Sequence, residues 1–345
     1  MSLLQETCDA ISGRSHKIEQ HIIDNWNAGS PVEQYGRLVN VVAQYGAATN
    51  QEQLTVPKPC MIIASADHGV ADMGVSAYPK ETTVGMTQNY LIPKGAGANS
   101  LANYCGAQME VIDMGIDADM SWVPGLRSHK LGMGTKNFVE EPAMTREQAI
   151  EGIETGIRLV KEKIDEGFNV FLVGEMGISN TTASALMTAK FAGLTAEEAT
   201  GRGTNISDER LKLKQRIVHD VLEKYKDIPK DDAIGILSSV GGFEFTCIVG
   251  VILGAAANNA LVIIDGFNTS ACALVAKTLV PQVMDYVMAS HLSAEKAAKS
   301  SLENLGLEAY VDLGLCLGEA SGGSIQMGML DLAVHMYLAV TGGKA

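Results

Sequence analysis

Asn169-Val-Phe-Leu-Val173-Gly174-Glu175-Met-Gly-Ile-Ser-Asn-Thr-Thr182 is the stretch that decides the fold. Its apolar start is short and lacks period-2 alternation, as expected of a strand buried on both faces. An acid–glycine turn follows, and small, hydroxyl-bearing residues then open a helix. The same design recurs on both sides. Cys60-Met-Ile-Ile-Ala-Ser-Ala66 ends in Asp67-His68-Gly69, and Met109-Glu-Val-Ile-Asp113 ends in Met-Gly-Ile-Asp117. Residues 232–240 read as a fourth strand ending in Gly241-Gly-Phe-Glu244, and Ala260-Leu-Val-Ile-Ile264 as a fifth ending in Asp265-Gly-Phe-Asn268.

Helical patterns separate these runs, the most periodic at 146–164 and a charged one at 209–226, with others expected near 269–280 and 293–304. Strands alternating with helices predict an α/β fold, doubly wound, with a mainly parallel, Rossmann-like sheet. Residues 58–290 are expected to form the large α/β substrate-binding domain. Residues 1–57 and 291–345 lack strand patterns and are expected to form a smaller helical domain.

The totals narrow the function. With 46% apolar and 19% charged residues, the chain has the makeup of a compact globular protein. A formal charge of −14 leaves phosphate repulsion uncompensated and argues against a nucleic-acid partner. The six cysteines, at 8, 60, 105, 247, 272 and 316, form no C-x-x-C pair, so neither metal spacing nor a disulfide framework is indicated. The uncharged run at 245–264 contains Asn258-Asn259 and reads as a buried helix–strand pair rather than a membrane span. With no export signal, a cytoplasmic location away from membranes is expected.

Ligands of open α/β sheets bind beyond the carboxyl ends of the strands. One acid there is ordinarily a turn or cap residue, but five in succession favour a polar pocket. Residues 174–182 offer either backbone N–H groups for an anion or plain Asn/Thr helix capping. Gly201-Arg-Gly203-Thr204, with Lys214 downstream, is a second candidate anion cradle, though Lys214 also suits a solvated helix face. Asp312-Leu-Gly-Leu-Cys-Leu-Gly-Glu319-Ala-Ser-Gly-Gly-Ser324 puts one carboxylate in a glycine-rich turn, with Ser321 or Ser324 available as helix caps. Taken alone, Glu319 is an ordinary solvated acid. Zincin, Walker A, dinucleotide and G-x-S-x-G patterns are all absent, and the histidines show no metal spacing.

Several motifs together resemble the nicotinate-nucleotide:dimethylbenzimidazole phosphoribosyltransferases of cobalamin lower-ligand synthesis. They are Asp67-His-Gly-Val70 with Gly74-Val-Ser-Ala-Tyr-Pro79, Val111-Ile-Asp-Met-Gly-Ile-Asp117 and the stretch 174–182. Val240-Gly-Gly-Phe-Glu244, Asp265-Gly-Phe267, Ser290-His-Leu-Ser-Ala-Glu295 and Leu317-Gly-Glu319 continue the match, which runs in order from about residue 32 to 340. The resemblance implies transfer of phosphoribosyl from nicotinate mononucleotide to a benzimidazole, giving an α-ribotide by inversion. Nicotinate leaves as a neutral pyridine, so no metal or cofactor is implied. The requirements are a base for the acceptor and an environment that tolerates oxocarbenium-like charge.

By resemblance Glu319 is the base, with Leu315 and Leu317 raising its pKa, and Glu175 is the acid beside the ribose. Gly177, Asn180, Thr181 and Lys214 fall on phosphate- and ribose-binding positions. Tyr78, Met86 and Leu315 fall on the acceptor pocket. Three residues depart from the family's usual pattern: Cys316 for Arg, Ala320 for Gly and Gly323 for Ala. Tyr78 and Met86 also stand where some members carry Ser and Gln. Those last two exchanges leave fewer polar partners for an imidazole nitrogen and point to a relaxed or shifted acceptor choice, such as phenol or p-cresol. A homodimer, or a heterodimer with a homologous chain, is implied. Two other readings are a weakly active structural subunit and a diphosphate-donor phosphoribosyltransferase. The first conflicts with retention of both Glu175 and Glu319, the second with the lack of a paired-acid motif after a hydrophobic run.

Overall fold

Six parallel strands form the centre of the computed structural model, which describes residues 1–343. In chain order they are β1 (Pro59–Ala66), β2 (Gln108–Gly115), β3 (Arg127–Ser128), β4 (Val170–Met176), β5 (Leu261–Ile264) and β6 (Val287–Ala289). The spatial order is β3-β2-β1-β4-β5-β6, and every pairing is parallel. β1 and β4 lie side by side at the centre, with Ala64 opposite Glu175, and the order reverses between them. Such a switch point opens a crevice at the carboxyl ends. β1, β4 and β5 are buried throughout, which explains their unalternated apolar sequences.

Three helices, α1 (Leu3–Ala10), α2 (His16–Gly29) and α3 (Leu38–Ala48), precede the sheet. Next come α4 (Thr82–Leu91), α5 (Gly97–Tyr104), α6 (Arg146–Asp165), α7 (Asn180–Ala192), α8 (Ala196–Ala199) and α9 (Asp208–Lys224). The remainder are α10 (Ala233–Val240), α11 (Phe243–Ala257), α12 (Phe267–Leu279), α13 (Ala298–Leu305) and α14 (Ser321–Thr341). α11 lies across β1, β2, β4 and β5, with α6 packed along it. A Cβ on Gly250 would meet the Ile153 carbonyl at 1.9 Å, so the α6–α11 contact depends on a bare backbone there. α14 packs on β4 and β5, and α2, α3 and α5 pack on α14. Residues 344–345, part of the expected helical lobe, lie outside the described residues.

One expected strand is a helix. Within residues 232–240, Ala233–Val240 form α10, whose N-cap Asp232 accepts from the Gly235 N–H at 2.9 Å. An apolar run buried on every side reads alike as strand or helix; the Asp cap was the distinguishing mark. The Gly241–Glu244 turn therefore joins α10 to α11 rather than ending a strand. The very short β3 and β6 were not anticipated. The helix expected at 146–164 is α6, whose start is fixed by a capping box between Thr145 and Gln148. The run at 245–264 is, as expected, most of α11 followed by β5, and no described helix is long and apolar enough to cross a membrane.

Candidate active site

The carboxyl ends of β4 and β5 border a cavity of about 550 Å³. Glu175, Gly177, Asn180, Thr181, Gly203, Thr204, Tyr78, Met86 and Glu319 all line it. Eleven residues were singled out in the sequence, and the other two lie elsewhere. Leu315 is half-buried outside the cavity, its carbonyl accepting from the Ala294 N–H at 2.9 Å, while its neighbours Cys316 and Leu317 line the wall. Lys214 sits behind the lining, only 1% exposed, and its Nζ donates to Thr181 Oγ1 at 2.8 Å.

β4 and α14 together place the two acids. Gly174 is the last small residue before Glu175, and a Cβ there would stand 2.6 Å from the Ala320 nitrogen and 2.9 Å from the Glu319 carbonyl carbon. Only glycine lets the Glu319 turn rest against the central strand. Glu319 itself has φ +59°, as does Ala320, a left-handed backbone that side chains rarely adopt. Strain of this kind persists where neighbours impose it. Here Asp265, just beyond β5, imposes it. Its Oδ1 accepts from the Gly322 N–H at 2.6 Å and the Gly323 N–H at 3.3 Å. Asp265 thus takes the capping role expected of Ser321 or Ser324; Ser324 Oγ instead donates to the Ala320 carbonyl at 2.9 Å.

Electrostatics separate the acids from ordinary carboxylates. Burial raises Glu319 above its usual range, the Tyr90 phenol opposes that rise, and the Asp265 charge adds to it. The apolar partners expected from sequence are not the cause, since Leu317 is 56% exposed. Tyr90 is buried, and its hydroxyl has no hydrogen-bond partner among the described residues, so no closed bond joins it to Glu319. Burial also lifts Glu175 to about 7; the side-chain amides of Asn268 and Asn180 favour its ionised form, and the Glu244 and Asp265 charges disfavour it. Below Gly177, His68 Nε2 and Glu244 Oε1 form a fully buried pair at 2.6 Å. The Glu244 charge holds His68 above its usual pKa despite burial.

The anion side is equally specific. α7 begins after Ser179, which has φ +78° and makes no side-chain cap bond. No side chain caps the helix start: the Asn180 and Thr182 N–H groups donate to the Gly177 and Ser179 carbonyls at 3.2 and 2.9 Å, and Asn180 and Thr181 of this positive helix end line the cavity. Burial depresses Lys214 to about 8, with Glu295 the opposing influence. Thr204 Oγ1 accepts from the Ala77 N–H at 2.9 Å and lies 3.2 Å from Ser76 Oγ, which ties its loop to the segment bearing Tyr78. Arg202 is committed to Asp208 and the Ile206 carbonyl. Sequence reasoning assigned no role to Asp265, Asn268, His291 or Glu295, all of which line the cavity. All four stand in motifs quoted from the sequence, the available signal. Ser290 lies outside the cavity lining, its Oγ donating to the Asp265 carbonyl at 2.7 Å and standing 3.1 Å from His291 Nδ1.

A family model described as phosphoribosyltransferase matches residues 12–343. A nicotinate-nucleotide–dimethylbenzimidazole phosphoribosyltransferase of Geobacter sulfurreducens is 43% identical over 310 residues, 90% of this chain and 88% of its own. One of the same name from Roseiflexus is 38% identical over 339 residues, covering 96% and 94%. The crystal structure of CobT from Thermus thermophilus superposes with a TM-score of 0.88 at 32% identity, over 95% of this chain and 99% of that one. The chain therefore belongs to the nicotinate-nucleotide–dimethylbenzimidazole phosphoribosyltransferase family and is an enzyme of the transferase class.

Proposed function

We propose that the enzyme moves phosphoribosyl from nicotinate mononucleotide to an aromatic lower-ligand acceptor and releases an α-ribotide for cobamide nucleotide-loop assembly. The observation that carries this reading is one cavity with two raised carboxylates, Glu319 and Glu175, and an anion cradle of α7, Thr181 and Lys214. The cradle holds the 5′-phosphate of the donor, with Gly177 and Asn180 beside the ribose and Gly203 and Thr204 in the facing loop. Glu319 removes the N–H or O–H proton of the acceptor as the acceptor's nitrogen or oxygen bonds to C1′. The C1′–N bond to the pyridinium breaks on the opposite face, and its electron pair leaves on the now neutral ring nitrogen of nicotinate. Glu175, ionised, offsets the positive charge that gathers on the sugar. The raised pKa of Glu319 brings its basicity toward the working pH.

The apolar part of the cavity lining, Tyr78, Met86, Ile178, Phe267 and Leu317, is assigned to the acceptor in this reading. That wall offers an imidazole little polar recognition for its second nitrogen, which supports acceptance of phenol or p-cresol beside dimethylbenzimidazole. Incubation of the enzyme with nicotinate mononucleotide and each acceptor tests this. Ribotide from both acceptors is expected, and turnover of dimethylbenzimidazole with none of either phenol would remove the phenolic reading. Glu319→Gln serves as the control and should lose at least about a hundredfold in rate with every acceptor. The working unit is a dimer of this chain or a pair with a homologous one. Full activity of the pure chain as a monomer in gel filtration would exclude both.

A further inference from the structure

Three side chains behind Glu175 form one directed line of hydrogen bonds. Ser184 Oγ donates to Asn268 Oδ1 at 2.7 Å, Asn268 Nδ2 donates to Asn180 Oδ1 at 3.1 Å, and Asn180 Nδ2 donates to Glu175 Oε2. The line joins three elements: Glu175 from β4, Asn180 and Ser184 from α7, and Asn268 from α12. Ser184 is 0% exposed and Asn180 6%, so water does not complete these bonds. A primary amide offers donors on one side and an acceptor on the other. Turning one asparagine therefore turns the next. The Ser184 hydroxyl is the one group in the line that can donate or accept through the same atom, and it donates. Both asparagines consequently aim N–H groups toward the carboxylate.

We infer that Ser184 and Asn268 are positioning residues for phosphoribosyl transfer, forming a relay that fixes Asn180 as a donor and holds Glu175 as an oriented, ionised acceptor beside the ribose. The inference rests on the reading of Glu175 given above and adds what keeps that acid in working form. Buried polar groups often only satisfy one another, as they must in any core. This line differs in two respects: it ends on an acid that lines the cavity, and its far end lies outside the lining. A carboxylate that receives such bonds keeps its charge more readily, and loss of one donor lets the proton return. Other groups also act on Glu175. Glu244 and Asp265 oppose its ionisation, and the buried His68 and the Tyr90 phenol lie within reach of its charge. Glu319 stands one residue beyond Gly318, whose Cβ position is 3.1 Å from Glu175 Oε1. None of these is altered by substitution at 184 or 268.

The test is the pH dependence of kcat/KM for nicotinate mononucleotide with dimethylbenzimidazole as acceptor. Asn268→Leu is neutral and of similar size. It should move the acid limb of the profile up by about one pH unit, an approximately tenfold loss below the limb that vanishes at high pH. Ser184→Ala, outside the cavity lining, should shift the limb the same way by about threefold. Because both act through one line, the double variant should match Asn268→Leu alone. A loss of equal size at every pH, or additive limb shifts, would overturn the relay. Ser184→Ala removes only a hydroxyl and keeps the test open if Asn268→Leu does not fold. Glu175→Gln separates the two levels. Retained activity there refutes the role of Glu175 itself, whereas a hundredfold loss beside an unmoved limb in Ser184→Ala and Asn268→Leu refutes the relay alone.

Discussion

Gly174→Ala is the most informative single substitution, because the structure sets its size. The new methyl would stand 2.6 Å from the Ala320 nitrogen, whereas ordinary contact begins near 3.4 Å, so one side must retreat by about 0.8 Å. β4 cannot move, since it is hydrogen-bonded on both edges, to β1 and to β5. The Glu319 turn must move instead, against the hold of Asp265 on the start of α14. Overpacking of this kind costs about 1–3 kcal/mol. The larger effect is catalytic, because a displacement near 1 Å at a reacting group lowers rates by roughly a hundredfold. Steady-state kinetics with nicotinate mononucleotide should show kcat reduced about 30- to 100-fold and KM within about threefold, since the phosphate cradle is untouched. Thermal unfolding should show a drop of only several degrees. A destabilised variant with full kcat would refute the claim that the position of Glu319 against β4 matters. Unchanged stability and unchanged kcat would refute the steric argument as a whole.

Further outcomes follow from the same geometry. Glu175 holds its proton more tightly folded (about 7) than at its ordinary value of 4.5, so the folded state loses stability as pH rises through that interval. Glu175→Gln should therefore be more stable than the parent by up to ~3 kcal/mol at pH 8 and by little at pH 4.5, while inactive; an equal gain at both pH values in urea titrations would contradict this. Lys214→Met should raise KM for nicotinate mononucleotide by about ten- to a hundredfold with a smaller change in kcat, the signature of a lost charged hydrogen bond. Cys316→Arg places a cation on the cavity wall near Glu319. It should shift the acid limb of the rate profile to lower pH, and an unmoved limb would show that the arginine side chain does not reach the acid.

The sheet was legible because buried parallel strands carry a distinctive run of apolar residues ended by glycine and an acid, as at 169–175 and 260–265. It was illegible where that signal is shared. Residues 232–240 are apolar on all sides in either conformation, and β3 and β6, at two and three residues, are too short to leave a pattern. Within the site, residues that carry their own chemistry in a turn, such as Glu175 and Thr181, could be read locally. Those whose role depends on a distant element could not. Nothing in Asp265-Gly-Phe shows that the acid caps a helix 57 positions later, and nothing around Tyr90 shows that its hydroxyl lies beside Glu319. Leu315 was misplaced for a related reason. Its carbonyl is tied to Ala294, a contact 21 positions away, and Cys316 and Leu317 line the wall instead.

The packing of α14 between the sheet and the N-terminal helices also bears on how the protein is made. α2 and α3 leave the ribosome long before α14, yet they rest on it, and the residues that become Glu319 and its turn emerge just ahead of that helix. Contacts of such long sequence separation form late and slowly. The sheet, the anion cradle and Glu175 can therefore be assembled while the chain still lacks its base. Activity should appear as one of the last events of folding, after α14 docks, and trail the recovery of secondary structure in refolding experiments.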